Sequence, residues 1–309
     1  MVYNLENRLV IGVSTRALFD LETENKIFEE EGVEAYSEYQ KKNEDKILKP
    51  GPGFSLIKGL LRLNEIAGWE NKVEVILMSK NSPDISLRMF HSIEHYGLGI
   101  TRAFFLSGAS MAPYLTAFKT DLFLSACEED VQAAIDAGIA AGIICGDGNA
   151  DYTQEEGEDQ IRIAFDADAV VFSDEADQVF RAHGLKAFES SEKEKAATPL
   201  CAGPFANFLK VLSDLQQEFD TDSAPIRTAL VTARSAPAHE RVIRTLRAWN
   251  VRVDEAFFLG GVTKREVLSA FGARIFFDDQ TINTTQAAQV VPAALVPLRS
   301  NTTQSGDEE

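Results

Sequence analysis

The stretch RAFFLSGASMAPYLTAFKTDLFLSA, residues 102–126, lies over EAFFLGGVTKREVLSAFGARIFFDD, residues 255–279, without a gap at an offset of 153. Two segments of one chain that match so closely imply an internal repeat. At the same offset VILMSKNS (75–82) meets ALVTARSA (229–236) once its first residue is trimmed, so that Ser79 faces Thr232. Earlier, GVSTRALFDLETENKIFEEEGVEAY (12–36) lies over AFDADAVVFSDEADQVFRAHGLKAF (164–188) at an offset of 152, with Phe28 on Phe180 and Gly32 on Gly184. LKPGPGFSLIKGLLRL (48–63) and LCAGPFANFLKVLSDL (200–215) share a Gly-Pro pair followed by a helical pattern.

Four matched blocks in one order predict a duplicated α/β chain. Each half reads as strand, helical insert, strand, helix, strand, helix, strand, and its strands are continuous apolar runs such as RTALVTA and ARIFF. Buried strands alternating with helices indicate a parallel sheet covered on both faces. The expected architecture is two tandem doubly wound, Rossmann-like halves over 1–148 and 160–298, with small helical cap inserts. The second half's insert falls at about 173–224. An acidic linker (149–159) joins the halves, and the polar, acidic tail 299–309 is expected to be disordered.

Composition narrows the function. The 309 residues carry a formal net charge of -18, which argues against nucleic acid as a partner, because phosphate backbones need a basic footprint. No apolar run approaches the roughly 20 residues of a membrane span. The opening MVYNLENRLVIGVS has no signal-peptide pattern. Cys127, Cys145 and Cys201 are odd in number and widely spaced, the usage of reduced thiols. The expectation is a cytoplasmic protein with no membrane and no nucleic-acid partner.

In open parallel sheets, ligands bind beyond the carboxyl ends of the strands. In the second half, four polar features fall there: Asp166 and Asp168 after RIAF, Thr232 after ALV, Lys264 after AFFLGGVT, and Asp278-Asp279 after RIFF. Taken alone, Asp-Ala-Asp reads equally as a solvated turn or as a pair of carboxylates held for chemistry. The first half discriminates, because it repeats the same strand with both carboxylates gone. It has Ser14 for Asp166, Arg16 for Asp168, Ser79 for Thr232, Met111 for Lys264, and Ser125-Ala126 for Asp278-Asp279. The strand therefore does not require them, and the first half is expected to be inactive.

The set FDADAVVF, LVTARS, GGVTKREVL and IFFDDQ resembles the four motifs of the haloacid dehalogenase superfamily of phosphotransferases. VSTRALFD, LKPGPGF, RIAFDADAVVFSDE, VTARSA and EAFFLGG add a resemblance to the cytosolic 5′-nucleotidase type I family and its bacterial relatives, covering nearly the whole chain. That resemblance implies Mg²⁺-dependent hydrolysis of a nucleoside 5′-monophosphate to nucleoside and phosphate. Asp166 is implied as nucleophile, forming an aspartyl-phosphate, and Asp168 as general acid and then base, which needs a retained carboxyl proton. Thr232 and Lys264 are implied as phosphoryl contacts. Mg²⁺ is assigned to Asp166, the backbone carbonyl of Asp168 and Asp278, with Asp279 behind them. Arg234 is a further candidate phosphate contact. Arg16 is a candidate for closing the substrate site or forming a subunit interface in a homo-oligomer, with a structural ion pair as the plain alternative.

Other motifs carry less. HSIEH (91–95) matches a zinc-protease pattern, yet His91 faces Arg244 and His95 faces Ala248 in the repeat, so a connecting helix is expected. GDGNAD (146–151) follows the last strand of the inactive half and lacks an EF-hand's glycine, so it reads as linker. GPGF and GGVTK are not phosphate loops of the nucleoside triphosphatases. Phe180, Phe188, Phe205 and Phe208 of the cap insert are candidates to stack on a base, with core packing the ordinary job for most of them. Two other functions fit less well: a phosphatase for another small ester such as a sugar phosphate, and a non-catalytic nucleotide sensor. The intact acidic set argues against the sensor.

Overall fold

The computed structural model describes residues 5, 7–145 and 160–300. The linker, the GDGNAD motif and the last nine residues of the tail lie outside them. Ten strands form the frame: β1 Leu9–Ser14, β2 Val73–Ser79, β3 Arg102–Phe105, β4 Leu122–Ser125, β5 Ala140–Cys145, β6 Ile161–Phe165, β7 Ile226–Thr232, β8 Glu255–Phe258, β9 Ile275–Asp278 and β10 Ala293–Leu295. The apolar runs seen in the sequence make these strands, and the central ones are buried along their whole length, as β1, β2 and β9 are. Helices connect them, so the chain is an α/β protein with a large, mostly parallel sheet.

All ten strands belong to one sheet, in the order β3-β2-β1-β4-β5-β10-β9-β6-β7-β8. Within β1–β5 and within β6–β10 every neighbouring pair is parallel. The two sets have the same internal order, and they meet at β5 and β10, which pair antiparallel through Ala294 and Ile144. The sequence outline of four strands per half is therefore one strand short: the fifth of each set makes the junction. That junction is closely packed. A Cβ on Gly142 would lie 2.9 Å from the Ala294 Cβ and 3.4 Å from the Phe277 ring, so only glycine fits without a shift.

The antiparallel junction has a topological consequence. The carboxyl ends of β1–β5 lie along one edge of the sheet, and those of β6–β10 lie along the opposite edge. Any ligand site at the strand ends of one set faces away from its counterpart.

Both sets use matching hydrogen bonds. The Leu48 N–H donates to the Ser92 hydroxyl at 3.0 Å, as the Leu200 N–H donates to that of Thr245 at 2.9 Å. Arg88 donates to the Lys46 carbonyl, as Arg241 does to that of Thr198, both at 2.9 Å. On the outer strands, Arg102 pairs with Glu74 and Arg227 with Glu255, the same positions with the charges exchanged.

The segment with the zinc-like motif forms helix Leu87–His95, and the His91 ring lies 2.8 Å from the Glu44 carbonyl. Phe205 and Phe208 are fully buried and pack with Phe165 and Phe277 beneath the second set's strand ends. They are core residues, not surfaces for a base.

Candidate active site

The second set's carboxyl edge gathers the residues picked out in the sequence. Asp166 follows β6, and its N–H is held by the Phe277 carbonyl at 2.8 Å. Its Oδ1 accepts the Ala167 N–H at 2.7 Å. The chain then makes a wide turn over Ala167–Val171, in which Ala169 takes a left-handed conformation (φ 62°) that costs a non-glycine residue about 1 kcal/mol. The Gly-Pro segment of the repeat braces this turn. Gly203 donates to the Val171 carbonyl at 2.9 Å, and a Cβ on it would fall 2.3 Å from the Phe172 carbonyl oxygen. This close approach explains why the repeat carries a glycine there.

Lys264, at the start of helix Arg265–Phe271, sits between two carboxylates. Its Nζ lies 2.9 Å from Asp166 Oδ1 and 2.6 Å from Asp278 Oδ2. All three side chains are buried. Asp278 is fixed further by the Gln280 N–H at 2.8 Å and by Asn283, which donates at 3.1 Å. Carboxylate oxygens of Asp166, Asp278 and Asp279 lie within 4.8 Å of one another, the one set with such metal-ligand spacing among the described residues.

The electrostatics follow from burial. Desolvation pushes the Asp166 carboxyl well above the usual carboxylate range; Lys264 opposes this, while Asp278 and Asp168 add to it. Asp279 is pushed up to about 7, mainly by burial and then by Asp278 and Asp177. Burial works against the charged form of Lys264, but Asp166 and Asp278 outweigh it and raise its pKa. Three carboxylates served by one ammonium leave a surplus of negative charge, the condition under which a bound divalent cation is stabilised.

Asp168 points to a different partner. Arg234 Nη2 donates to its Oδ1 at 2.6 Å and Nε donates to its Oδ2 at 2.8 Å, a bidentate pair. The remaining nitrogen, Nη1, is bound by Glu192, which also takes Arg241 Nη1 at 2.8 Å. Arg241 in turn binds Glu175 at 2.6 Å. Arg234, a candidate phosphate contact in the sequence, has its guanidinium engaged by two carboxylates, Asp168 and Glu192. Glu192, Arg241 and Glu175 are absent from the sequence reading altogether. The signal was in the repeat, where Gln40 and Arg88 form the matching hydrogen bond of the first set at 3.2 Å.

Thr232 ends β7 and is 1% exposed. Its Oγ1 accepts the Arg234 N–H at 3.1 Å, so its own proton is left to donate toward the site. Above Arg234, the Phe188 ring lies 5.5 Å from the guanidinium carbon, and Phe180 meets Phe188 edge-on at 6.3 Å. Of the four cap aromatics, these two stand beside the site, and Phe180 is exposed.

Arg16 lies elsewhere. It follows β1 at the opposite edge of the sheet, and β1 is five strands from β6, roughly 24 Å at the usual spacing. Within one chain it cannot close the site around Asp166. Its ion pair is a long one, 3.9 Å, to the exposed Glu22.

Comparisons with known proteins bear on the chain as a whole. A human protein described as cytosolic 5′-nucleotidase 1B is 40% identical over 284 residues, which cover 89% of this chain and 46% of that protein. The chain thus spans about half the length of this curated relative. A solved structure, histidinol dehydrogenase from Elizabethkingia anophelis, overlaps 91% of this chain and 75% of its own at 10% identity, with a TM-score of 0.24. No helix among the described residues is long and apolar enough to cross a membrane. The family model described as 5′-nucleotidase matches residues 1–303, and the chain belongs to the 5′-nucleotidase family.

Proposed function

We propose that this chain hydrolyses nucleoside 5′-monophosphates at the carboxyl edge of β6–β10, with Asp166 as nucleophile. The observation that carries the reading is the Lys264 ammonium seated between Asp166 and Asp278. Phosphate-monoester hydrolysis is among the slowest uncatalysed reactions, and positioning with charge neutralisation is what such a site supplies.

In the first step an Asp166 carboxylate oxygen attacks phosphorus, and the bond from phosphorus to the 5′-oxygen breaks. Asp168 gives its proton to that leaving oxygen, so the nucleoside departs neutral. Thr232 and Lys264 stabilise the charge that spreads over the phosphoryl oxygens. Water then attacks the aspartyl-phosphate, Asp168 takes the water's proton, and inorganic phosphate leaves with Asp166 restored. For Asp168 to serve, one of its oxygens must come away from Arg234, which engages both.

The donor set fits Mg²⁺: hard oxygen ligands from three clustered carboxylates, those of Asp166 and Asp278 buried and that of Asp279 half-buried. Asp166, Asp278 and the Asp168 backbone carbonyl would hold it, and the position of Asp279 fits a water-mediated or direct fourth contact. When bound, it would neutralise phosphoryl charge and lower the repulsion that burial places on Asp166. The exposed Phe180 beside Phe188 offers a ring for a base, which favours a nucleotide over a sugar phosphate.

We also read the chain as a tandem duplication, an inactive 1–148 half followed by a catalytic 160–298 half, acting in the cytoplasm. The matched strand orders and the paired hydrogen bonds support the duplication. The test of the activity is phosphate release from a panel of nucleoside monophosphates and sugar phosphates, with Mg²⁺ or with chelator. Mg²⁺-dependent release that favours nucleotides is expected; release from sugar phosphates alone would overturn the substrate assignment.

A further inference from the structure

The opposite edge of the sheet holds a cavity of about 570 Å³ at the strand ends of β1, β2 and β4, where the first half carries its replacements for the catalytic set. The replacements are not random. Ser14, Ser79 and Ser125 occupy the positions of Asp166, Thr232 and Asp278, all three line the cavity, and their exposures are 7%, 2% and 1%. Each oxygen accepts a backbone N–H: Ser14 from Ala17 at 3.2 Å, Ser79 from Asn81 at 3.1 Å and Ser125 from Cys127 at 3.1 Å. Thr232 and Asp278 accept in the same pattern, from Arg234 and Gln280.

With the acceptor role filled, each serine has its proton left to donate into the cavity. Strands β2, β1 and β4 are adjacent, so the three serines end neighbouring strands and line one cavity. Arg16, standing where the other half has Asp168, adds a guanidinium on the same wall, loosely paired at 3.9 Å. The chemistry has inverted. One edge presents carboxylates that require a cation before they can meet a phosphate. The other presents buried hydroxyl donors and Arg16, with the lining carboxylates Asp130 and Glu24 already paired to Lys80 and Arg88, and so suits an anion directly.

The far wall is aromatic. Phe28 and Tyr36, on helix Glu22–Lys42, line the cavity and meet edge-on at 5.9 Å, matching Phe180 and Phe188. Tyr36 is fixed by Asn81, which donates to its hydroxyl at 2.8 Å. Phe28 is 48% exposed, a ring with one face available.

We infer that this cavity is a second small-molecule site, which binds a phosphate monoester carrying an aromatic group, in the manner of a nucleotide, without metal and without hydrolysing it. The phosphate sits among the three serine hydroxyls and Arg16, and the aromatic group lies on Phe28. No carboxylate stands at the nucleophile's position, so no P–O bond is broken there. The choice of a nucleotide rests on the reading of the other edge as a nucleotidase; the preference for a metal-free anion does not.

The test is equilibrium dialysis of the full chain carrying Asp166→Asn, in excess chelator, with AMP, adenosine and inorganic phosphate as separate probes. Saturable binding of one AMP per chain is expected, with adenosine and phosphate each weaker. Arg16→Ala in that background should weaken AMP at least about 10-fold, the loss of one charge-assisted contact. Phe28→Ala, an exposed and structurally mild change, should weaken AMP but leave inorganic phosphate unchanged. Absence of saturable AMP binding in chelator would overturn the site. So would binding that Lys264→Ala abolishes and Arg16→Ala does not, since it would belong to the other edge. Phosphate release by the unmodified chain with Mg²⁺ reports the catalytic reading separately, so either can fail while the other stands.

Discussion

Arg234 grips Asp168 with two nitrogens at 2.6 and 2.8 Å while its third is held by the buried Glu192. The carboxylate proposed to move a proton is thereby aimed by a guanidinium that is itself anchored in the cap insert. Arg234→Lys keeps a charge near Glu192 but cannot reproduce the bidentate fork. It should lower kcat by about 10²-fold with a smaller change in KM, and it should alter the pH–rate profile. Loss confined to melting temperature, with kcat intact, would mean the pair is only structural.

Replacing Lys264 by methionine imitates the first half, where buried Met111 stands at the matching position. Lys264→Met removes the cation from between Asp166 and Asp278 and should cut phosphate release by about 10³-fold. Without metal the two carboxylates are left uncompensated, at a cost of about 3 kcal/mol. Added Mg²⁺ should therefore raise the variant's melting temperature more than that of the unmodified protein. An equal rise in both would separate Lys264 from the metal site.

Asp121 supplies a pH test away from the active edge. Its Oδ2 accepts the Val10 N–H at 2.8 Å, and burial pushes its carboxyl up to about 6 from an ordinary 3.8. The folded state thus holds this proton more tightly than the unfolded state. The contribution is favourable at low pH, falls as pH rises from about 4 to about 6, and stays a penalty above. Asp121→Asn keeps the acceptor and removes the charge, so it should stabilise the protein by about 2 kcal/mol near neutral pH and by little near pH 4. Chemical denaturation at the two pH values checks this; an equal effect at both would contradict it.

Gly142 tests the junction of the two five-strand sets. Gly142→Ala places a Cβ 2.9 Å from that of Ala294, and the cost of such overpacking is about 1–3 kcal/mol. A denaturation midpoint unchanged by the substitution would show that the β5–β10 contact yields easily.

Much of this was legible in the residues. The offset of 153 aligned strands of the two sets, and the matched positions singled out Asp166, Lys264 and Asp278, which the structure brings together. What the pattern did not reveal was the relation between the halves. β10 is three residues long, Ala293–Leu295, too short for any periodicity, yet its antiparallel pairing with β5 sends the two sets of strand ends to opposite edges. Arg16 therefore looked close to the site and is far from it. Glu192 and Arg241, which join Arg234 in a buried chain, escaped because charged residues on helical segments read as solvated faces, and only the fold buries them. Phe180 and Phe188 differ from Phe205 and Phe208 by which side of the insert they occupy, something spacing alone does not decide.

In the proposed reaction the Asp166 carboxylate attacks phosphorus. Rapid acid quenching of a reaction with AMP radiolabelled in its phosphate, followed by peptide mapping, tests it most directly. Label is expected on the peptide containing Asp166 during turnover, and neither label nor phosphate release in Asp166→Asn. Sustained phosphate release by Asp166→Asn, or label carried on a different residue, would contradict it.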